Sequence, residues 1–380
     1  TPASTMLSTT SLKKQIPSSM MSNRLFDGLI LRLWHAVLRL PLSWAALALL
    51  LSAHTVAAQV AITSITTETN YGASTTRSVS GDDPASVTWT GERTALTRFT
   101  AGGISYGAGG TGSAVIRRNT ATEVFSTSNP AQELTWSYEI SNDGLPTPNV
   151  EVYGEYLNTM EAVLSTNNID SGVENLFVNV TADVVNANVE RVDFVFDAPI
   201  SVNSDQVLAL FDRGGGGSGA NYGYGIAVIT AVSGLDPTAF SNPLFVADSD
   251  YTGAPGLRTS TAYSILQHEV SGGPELDFRR EFTAQHIVGL AINANDLVAD
   301  GTTIYGYSVF SQDVTATTGT QLLDWTNTTY FPTTTGYSGD VDMAAFGPTF
   351  YEVVPEPSPA LLLAVALGFG VSRRRRGAES

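Results

Sequence analysis

The sequence predicts an all-β protein, a β-sandwich or jelly roll of about a dozen or more strands, with an apolar segment at each end. Three observations carry that prediction. Between Gln59 and Tyr351, short runs rich in Val, Ile, Phe, Tyr and Thr are separated by clusters of Gly, Pro, Asn, Asp and Ser. Within such runs apolar residues alternate, as in Arg191–Asp197, where Val192, Phe194 and Phe196 fall on one face. Long helical periodicity is missing from the same stretch, and only Asn158–Leu164 shows a weak helical pattern.

The first element is the N-terminal segment, 1–58. Arg32, His35 and Arg39 precede an apolar run from Leu42 to Ala53, and Val56-Ala57-Ala58 closes it before Gln59. A basic stretch, an apolar stretch of about a dozen residues and a small-residue exit describe a secretory signal peptide cut after Ala58. A membrane anchor would need an apolar span of about 20 residues, which this run does not reach. Met6, Met20 or Met21 is the expected start. The segment has no twin-arginine pair, so export in the unfolded state through the Sec translocon is the expected route.

Residues 59–352 form the predicted ectodomain. Leu134–Ile140 alternates, with Leu134, Trp136, Tyr138 and Ile140 together. Gln206–Phe211, Ile226–Val232, His286–Ile292 and Thr303–Phe310 are nearly continuous apolar runs, as expected of strands covered on both faces. A division into two β units would fall in the Gly-rich zone Gly102–Gly112 or near Asp143-Gly144-Leu145-Pro146. No repeat of fixed period is visible, which argues against a solenoid or propeller.

Charge is unevenly placed. The 380 residues carry 36 acidic and 19 basic side chains, a net −17, and the only lysines are Lys13 and Lys14. Between 59 and 355 there are 10 arginines against 33 acidic residues, a net −23. Such a body is a poor partner for nucleic acid, which needs a positive face. Cysteine is absent, which excludes disulfides, cysteine-ligated zinc or iron–sulfur centres and a thiol nucleophile.

Motifs for catalysis are weak. Gly103-Ile104-Ser105-Tyr106-Gly107 matches a nucleophile elbow, but that device needs a strand-to-helix turn, and only His268 and His286 of the body offer a base. Gly107-x-Gly109-x-x-Gly112 and Gly214-x-Gly216-x-x-Gly219 match the dinucleotide fingerprint without the helix it must open. A glycosidase carboxylate pair is set by distance in space, which sequence spacing does not give. No enzyme and no cofactor is therefore expected, with one qualification. Asp82-Asp83, Asp248-Ser249-Asp250 and Asp340-Val341-Asp342 offer oxygen ligands for Ca²⁺, and Asp340 with Asp342 is the first choice, in a loop between strands. None has the spacing of an EF-hand loop, and a solvated acidic turn is the competing reading.

Trp325, with Tyr330 and Phe331, offers either a sugar-stacking platform or a core anchor, and the pairs around Gly223 and Gly306 offer the same choice. Thr315–Thr320 and Thr333–Ser338 are dense enough in hydroxyls for surface glycosylation.

The tail carries the most specific pattern. Pro355-Glu356-Pro357 is followed by an apolar run from Pro359 to Val371 and then by Arg373, Arg374, Arg375 and Arg376. Prolines hold the backbone extended, the apolar run can enter a bilayer as a helix, and four arginines stop its transfer on the cytoplasmic side. Residues 353–377 resemble the PEP-CTERM sorting signal, and the N-terminal signal peptide agrees with it. The resemblance implies a substrate of the membrane protease-transpeptidase exosortase, held transiently in the inner membrane of a Gram-negative bacterium rich in exopolysaccharide. Its destination would be the outer surface or extracellular matrix. The expected role is non-enzymatic adhesion or organisation of exopolysaccharide or other envelope glycans. The alternatives are a secreted carbohydrate-active enzyme and a lectin-like glycan-binding module carried by the same tail.

Overall fold

β-Branched and aromatic runs form strands whose pairing, among the described residues, is antiparallel in every ladder but one. The computed structural model describes residues 59–79, 86–119, 132–140, 149–178, 188–215, 223–251, 254–260, 263–269, 276–281, 285–333 and 341–355. Ala58, Asp340 and the tail beyond Pro355, with Glu356, Pro357 and the four arginines, lie outside them. Among the described residues no helix is long and apolar enough to cross a membrane.

The largest sheet closes on itself. β1 (Gln59–Tyr71) pairs with β4 (Glu92–Ala101), then come β5 (Ile104–Ala108), β20 (Tyr351–Val353), β11 (Gln206–Gly215) and β18 (Gln285–Asn293). The first residues of β1, Gln59–Ala61, pair back onto Leu290–Ile292 of β18, so six strands form a ring without a free edge. β15 (Arg258–Ser260) adds to the remaining half of β18. Each ring strand contributes to one packed interior. Phe99 lies with its ring centre 5.4 Å from Tyr106, 4.8 Å from Tyr351 and 6.1 Å from Phe211. At Gly289 of β18 a Cβ would meet the Phe211 ring at 2.8 Å and Ile62 at 2.9 Å, so only glycine leaves room there.

A second sheet orders β13 (Asp236–Phe240), β12 (Tyr224–Ser233), β19 (Thr303–Ser311), β10 (Val189–Ser201) and β6 (Gly112–Arg118), with β14 (Leu244–Val246) also on β12. Its inner face brings Phe194 to 4.9 Å from Tyr307 and 5.9 Å from Phe346, and Phe346 in turn lies 5.5 Å from Phe211. Phe346 thus joins this sheet to the ring. A third sheet runs β17 (Leu276–Glu281), β16 (Tyr263–Glu269), β7 (Gln132–Tyr138) and β9 (Ser171–Val173). The smallest joins β2 (Thr75–Ser78), β3 (Ser86–Trp89) and β8 (Asn149–Val152), where β3 and β8 form the parallel pair.

The weak helical pattern becomes α1 (Met160–Leu164), capped by Thr159 Oγ1, which accepts from the Ala162 amide at 3.1 Å. All-β is the correct class, but two local expectations change. Arg191 and Asp193 fall on the polar side of the alternation, yet both are fully buried, because 312–333 covers that face with Val314, Leu322 and Phe331. In β7 the polar residues Glu133, Thr135 and Ser137 are also buried, whereas Ile140 is exposed just past the strand. Gly102 and Gly103, with φ of 59° and 80°, form the two-residue turn of the β4–β5 hairpin, where Ala101 pairs with Ile104. Beyond that hairpin, 109–112 lead from β5 of the ring to β6 of the second sheet, and 143–146 lie outside the described residues.

Close sheet packing makes a prediction at Gly306 of β19, whose φ is 153° and whose added Cβ would sit 2.0 Å from the Phe194 carbonyl oxygen. Gly306→Ala is expected to cost about 3 kcal/mol or more in urea unfolding. Gly234→Ala, at φ 64° with open space around it, is expected to cost only about 1–2 kcal/mol. Equal midpoints for the two variants would contradict this packing.

Candidate functional site

With ten arginines against so many carboxylates, the placement of each positive charge matters. Six of them enter ion pairs among the described residues: Arg93, Arg117, Arg118, Arg191, Arg213 and Arg258. Arg213 is fully buried and pairs with Glu174, with Gln285 and, at 2.8 Å, with Asp342. Its guanidinium lies over Tyr263 at 3.6 Å and over Trp136 at 5.0 Å. Burial alone would lower the Arg213 pKa, but Asp342 and Glu174 more than reverse this and hold it charged. Asp193 is similarly enclosed. It accepts from Arg191 and Arg117 at 2.6 Å each and from Ser308 Oγ at 2.6 Å. Arg258 grips Asp170, to which Thr94 Oγ1 also donates at 2.5 Å. In these clusters the charges are paired with one another, and Arg213 Nε is the buried polar atom left without a hydrogen bond.

An open cavity of about 250 Å³ lies among β4, the β5–β6 connection, the residues after α1 and the segment 346–349. Glycines let the backbone form its wall: at Gly110 a Cβ would lie 3.1 Å from the Phe350 ring, and at Gly112 2.2 Å from the Val195 oxygen. Hydroxyl and amide groups line it and are oriented from behind. Ser165 Oγ accepts from the Ala114 amide at 2.9 Å, Thr349 Oγ1 from the Gly110 amide at 3.1 Å, and the Asn167 carbonyl from the Leu96 amide at 2.9 Å. Phe346 and Pro348 add apolar surface, and Arg93 brings a positive charge, its Nε buried without a hydrogen bond and 3.6 Å from Glu155. No carboxylate and no histidine lines the cavity among the described residues. It can hold a polar, hydroxylated group of sugar size, but it presents no acid–base pair.

The sequence-predicted sites fare unevenly. Pro355 is exposed just beyond β20. Asp342 is not a solvated loop carboxylate. It is buried, with Oδ2 on Arg213 and Oδ1 accepting from the Asn175 amide at 2.9 Å, so a cation at Asp342 competes with that pairing. Ser105 sits on a hairpin strand and not on a strand-to-helix elbow. His286 Nδ1 lies 2.5 Å from Thr259 Oγ1. Phe331, Tyr224 and Tyr307 are core residues, so they cannot serve as sugar platforms. Trp325 is half-buried, its Nε1 donating to the Arg118 carbonyl at 3.3 Å, with Arg117 and Arg191 5.1 and 5.2 Å from its ring.

Glu190 escaped the sequence reading. It stands at the bulge where β10 shifts register against β6, between Val189 and Arg191, a break that alternation does not encode, and it is only 3% exposed. Burial first, and then the charge of Asp313, raise its carboxyl from the usual 4.5 to about 8. Comparison with family models, with curated proteins and with solved structures gives no match.

A carboxyl raised in the folded state stabilises the fold when protonated. Its contribution is fully present below about 4.5 and is lost as pH rises through about 8. In chelator-containing buffer, melting temperature is expected to fall over that interval, and Glu190→Gln to flatten the fall. An equally steep fall in the variant would contradict the assignment to Glu190.

Proposed function

We propose that this chain is an exported cell-surface or extracellular-matrix protein, sorted by exosortase and associated with exopolysaccharide in a non-enzymatic, adhesive or structural role. The observation that supports it is how the tail leaves the body. β20, the last strand, is held between β5 and β11, and the Val354 amide still donates to the Ser105 carbonyl at 2.8 Å. Pro355 follows at once and is exposed. Pro355-Glu356-Pro357 therefore begins one residue after the last hydrogen bond among the described residues, where a protease-transpeptidase can grip it. Cleavage there removes none of the β20 pairings. Export through the Sec translocon, cleavage after Ala58 and a transient inner-membrane anchor ending in Arg373–Arg376 complete the route. In fold terms we read the body as a sandwich whose larger sheet has curled shut.

A second reading, a lectin-like module on the same tail, is favoured by the sugar-sized cavity with its hydroxyl wall and Arg93. A carbohydrate-active enzyme is less favoured, because no carboxylate lines that cavity among the described residues.

Replacing Pro355, Glu356 and Pro357 together by alanine in the native host, followed by cell fractionation, tests sorting. The expected outcome is retention in the inner membrane and loss of surface exposure. Unchanged release and exposure would overturn the proposal.

A further inference from the structure

One end of the β10–β19 ladder collects oxygen atoms that nothing satisfies. Arg191 of β10 pairs with Phe310 of β19 at the end of the antiparallel ladder, and Glu190 and Ser311 are the residues immediately beyond that pair on the two strands. Ser311 shares the parity of Tyr307 and Val309, and Glu190 stands at the bulge where β10 shifts register against β6, between Val189 and Arg191. Glu190 is 3% and Ser311 5% exposed, and Glu190 Oε1 and Ser311 Oγ have no hydrogen-bond partner. Asp313, two residues beyond Ser311, acts electrostatically on Glu190, and its Oδ2 is buried and also unpartnered. Asn188, two residues before Glu190 and 6% exposed, adds a fourth such oxygen at Oδ1.

No ion pair among the described residues involves Glu190 or Asp313. The nearest arginine along the strand, Arg191, is committed to Asp193 and the Leu322 carbonyl. Two neighbouring carboxylates with buried oxygens and no cation are electrostatically unfavourable. Buried acceptors without donors cost free energy as well. Both penalties are removed by one hard cation.

We propose that Glu190 and Asp313, with Ser311 Oγ and Asn188 Oδ1, bind a calcium ion that fastens the end of β10 to the segment following β19. Two carboxylates, a hydroxyl and an amide carbonyl form an all-oxygen donor set, which selects a hard divalent cation. Calcium tolerates irregular geometry and completes its six to eight ligands with water, which suits a site at a strand end better than the strict octahedron of magnesium. The net −23 of the body draws cations toward such a site. The ion would sit apart from Asp340 and Asp342, since Asp342 belongs to the Arg213 cluster.

The test uses the full chain, stripped with EDTA and titrated with Ca²⁺ alone, followed by thermal unfolding and calorimetry. Saturation about 100-fold above Kd is expected to raise Tm by about 5 °C. Glu190→Gln and Asp313→Asn, each conservative in shape, are each expected to abolish most of that rise and to weaken calorimetric binding by tenfold or more. In EDTA neither variant is expected to melt below the wild type, because each removes one of two unpaired carboxylates. Asp313 is only half-buried, so its variant also tests the site if the buried substitution disturbs folding. Absence of a calcium response in the wild type would overturn the proposal. So would a response undiminished in both variants, which would place the ion elsewhere.

Discussion

Arg213 is the interaction on which the arrangement of sheets depends. It stands on β11 of the closed ring, yet its partners come from elsewhere: Glu174 just after β9, Asp342 in the segment leading to β20, and Gln285 at the start of β18. Its guanidinium also packs on Trp136 of β7 and Tyr263 of β16. One side chain therefore ties the ring to the four-stranded sheet and to the connection that delivers the last ring strand. Burying it unpaired would be strongly unfavourable, so the geometry of all these elements must meet at one point. The backbone agrees, since the Arg213 amide donates to the Asp342 carbonyl and the Asp342 amide to Asp212 Oδ1, both at 2.9 Å.

The same economy extends through the molecule. Arg191, Arg117 and Asp193 hold the covering segment 312–333 to the second sheet, and Arg258 with Asp170 joins β15 to the turn before β9. Scarce positive charges are spent inside, between layers. The body as a whole keeps a net charge of −23, which repels other polyanions and attracts cations.

Much of the fold was legible because strands declare themselves by period. Gln206–Phe211, Ile226–Val232, His286–Ile292 and Thr303–Phe310 all lie within β11, β12, β18 and β19, and Asn158–Leu164 contains α1. Ring closure was not legible. It rests on three residues, Gln59–Ala61, finding Leu290–Ile292 across more than half the chain, and no local pattern encodes such a pairing. The buried charges were missed for a related reason. Alternation assigns Arg191 and Asp193 to a solvent face, and it takes a distant cover to turn that face into an interior. Glu190 was missed as well, because it stands at a bulge of β10 that alternation does not encode. The cavity was invisible to sequence because its wall is largely backbone, exposed by Gly110 and Gly112.

A double-mutant cycle on Arg213 and Asp342 tests this account most directly. Arg213→Met, Asp342→Asn and the pair are compared by chemical denaturation of the same chain. The account predicts that each single change destabilises strongly and that the two are coupled by about 2 kcal/mol or more. Effects that add to within about 0.5 kcal/mol would contradict it, because the cluster would then not be the joint between the sheets.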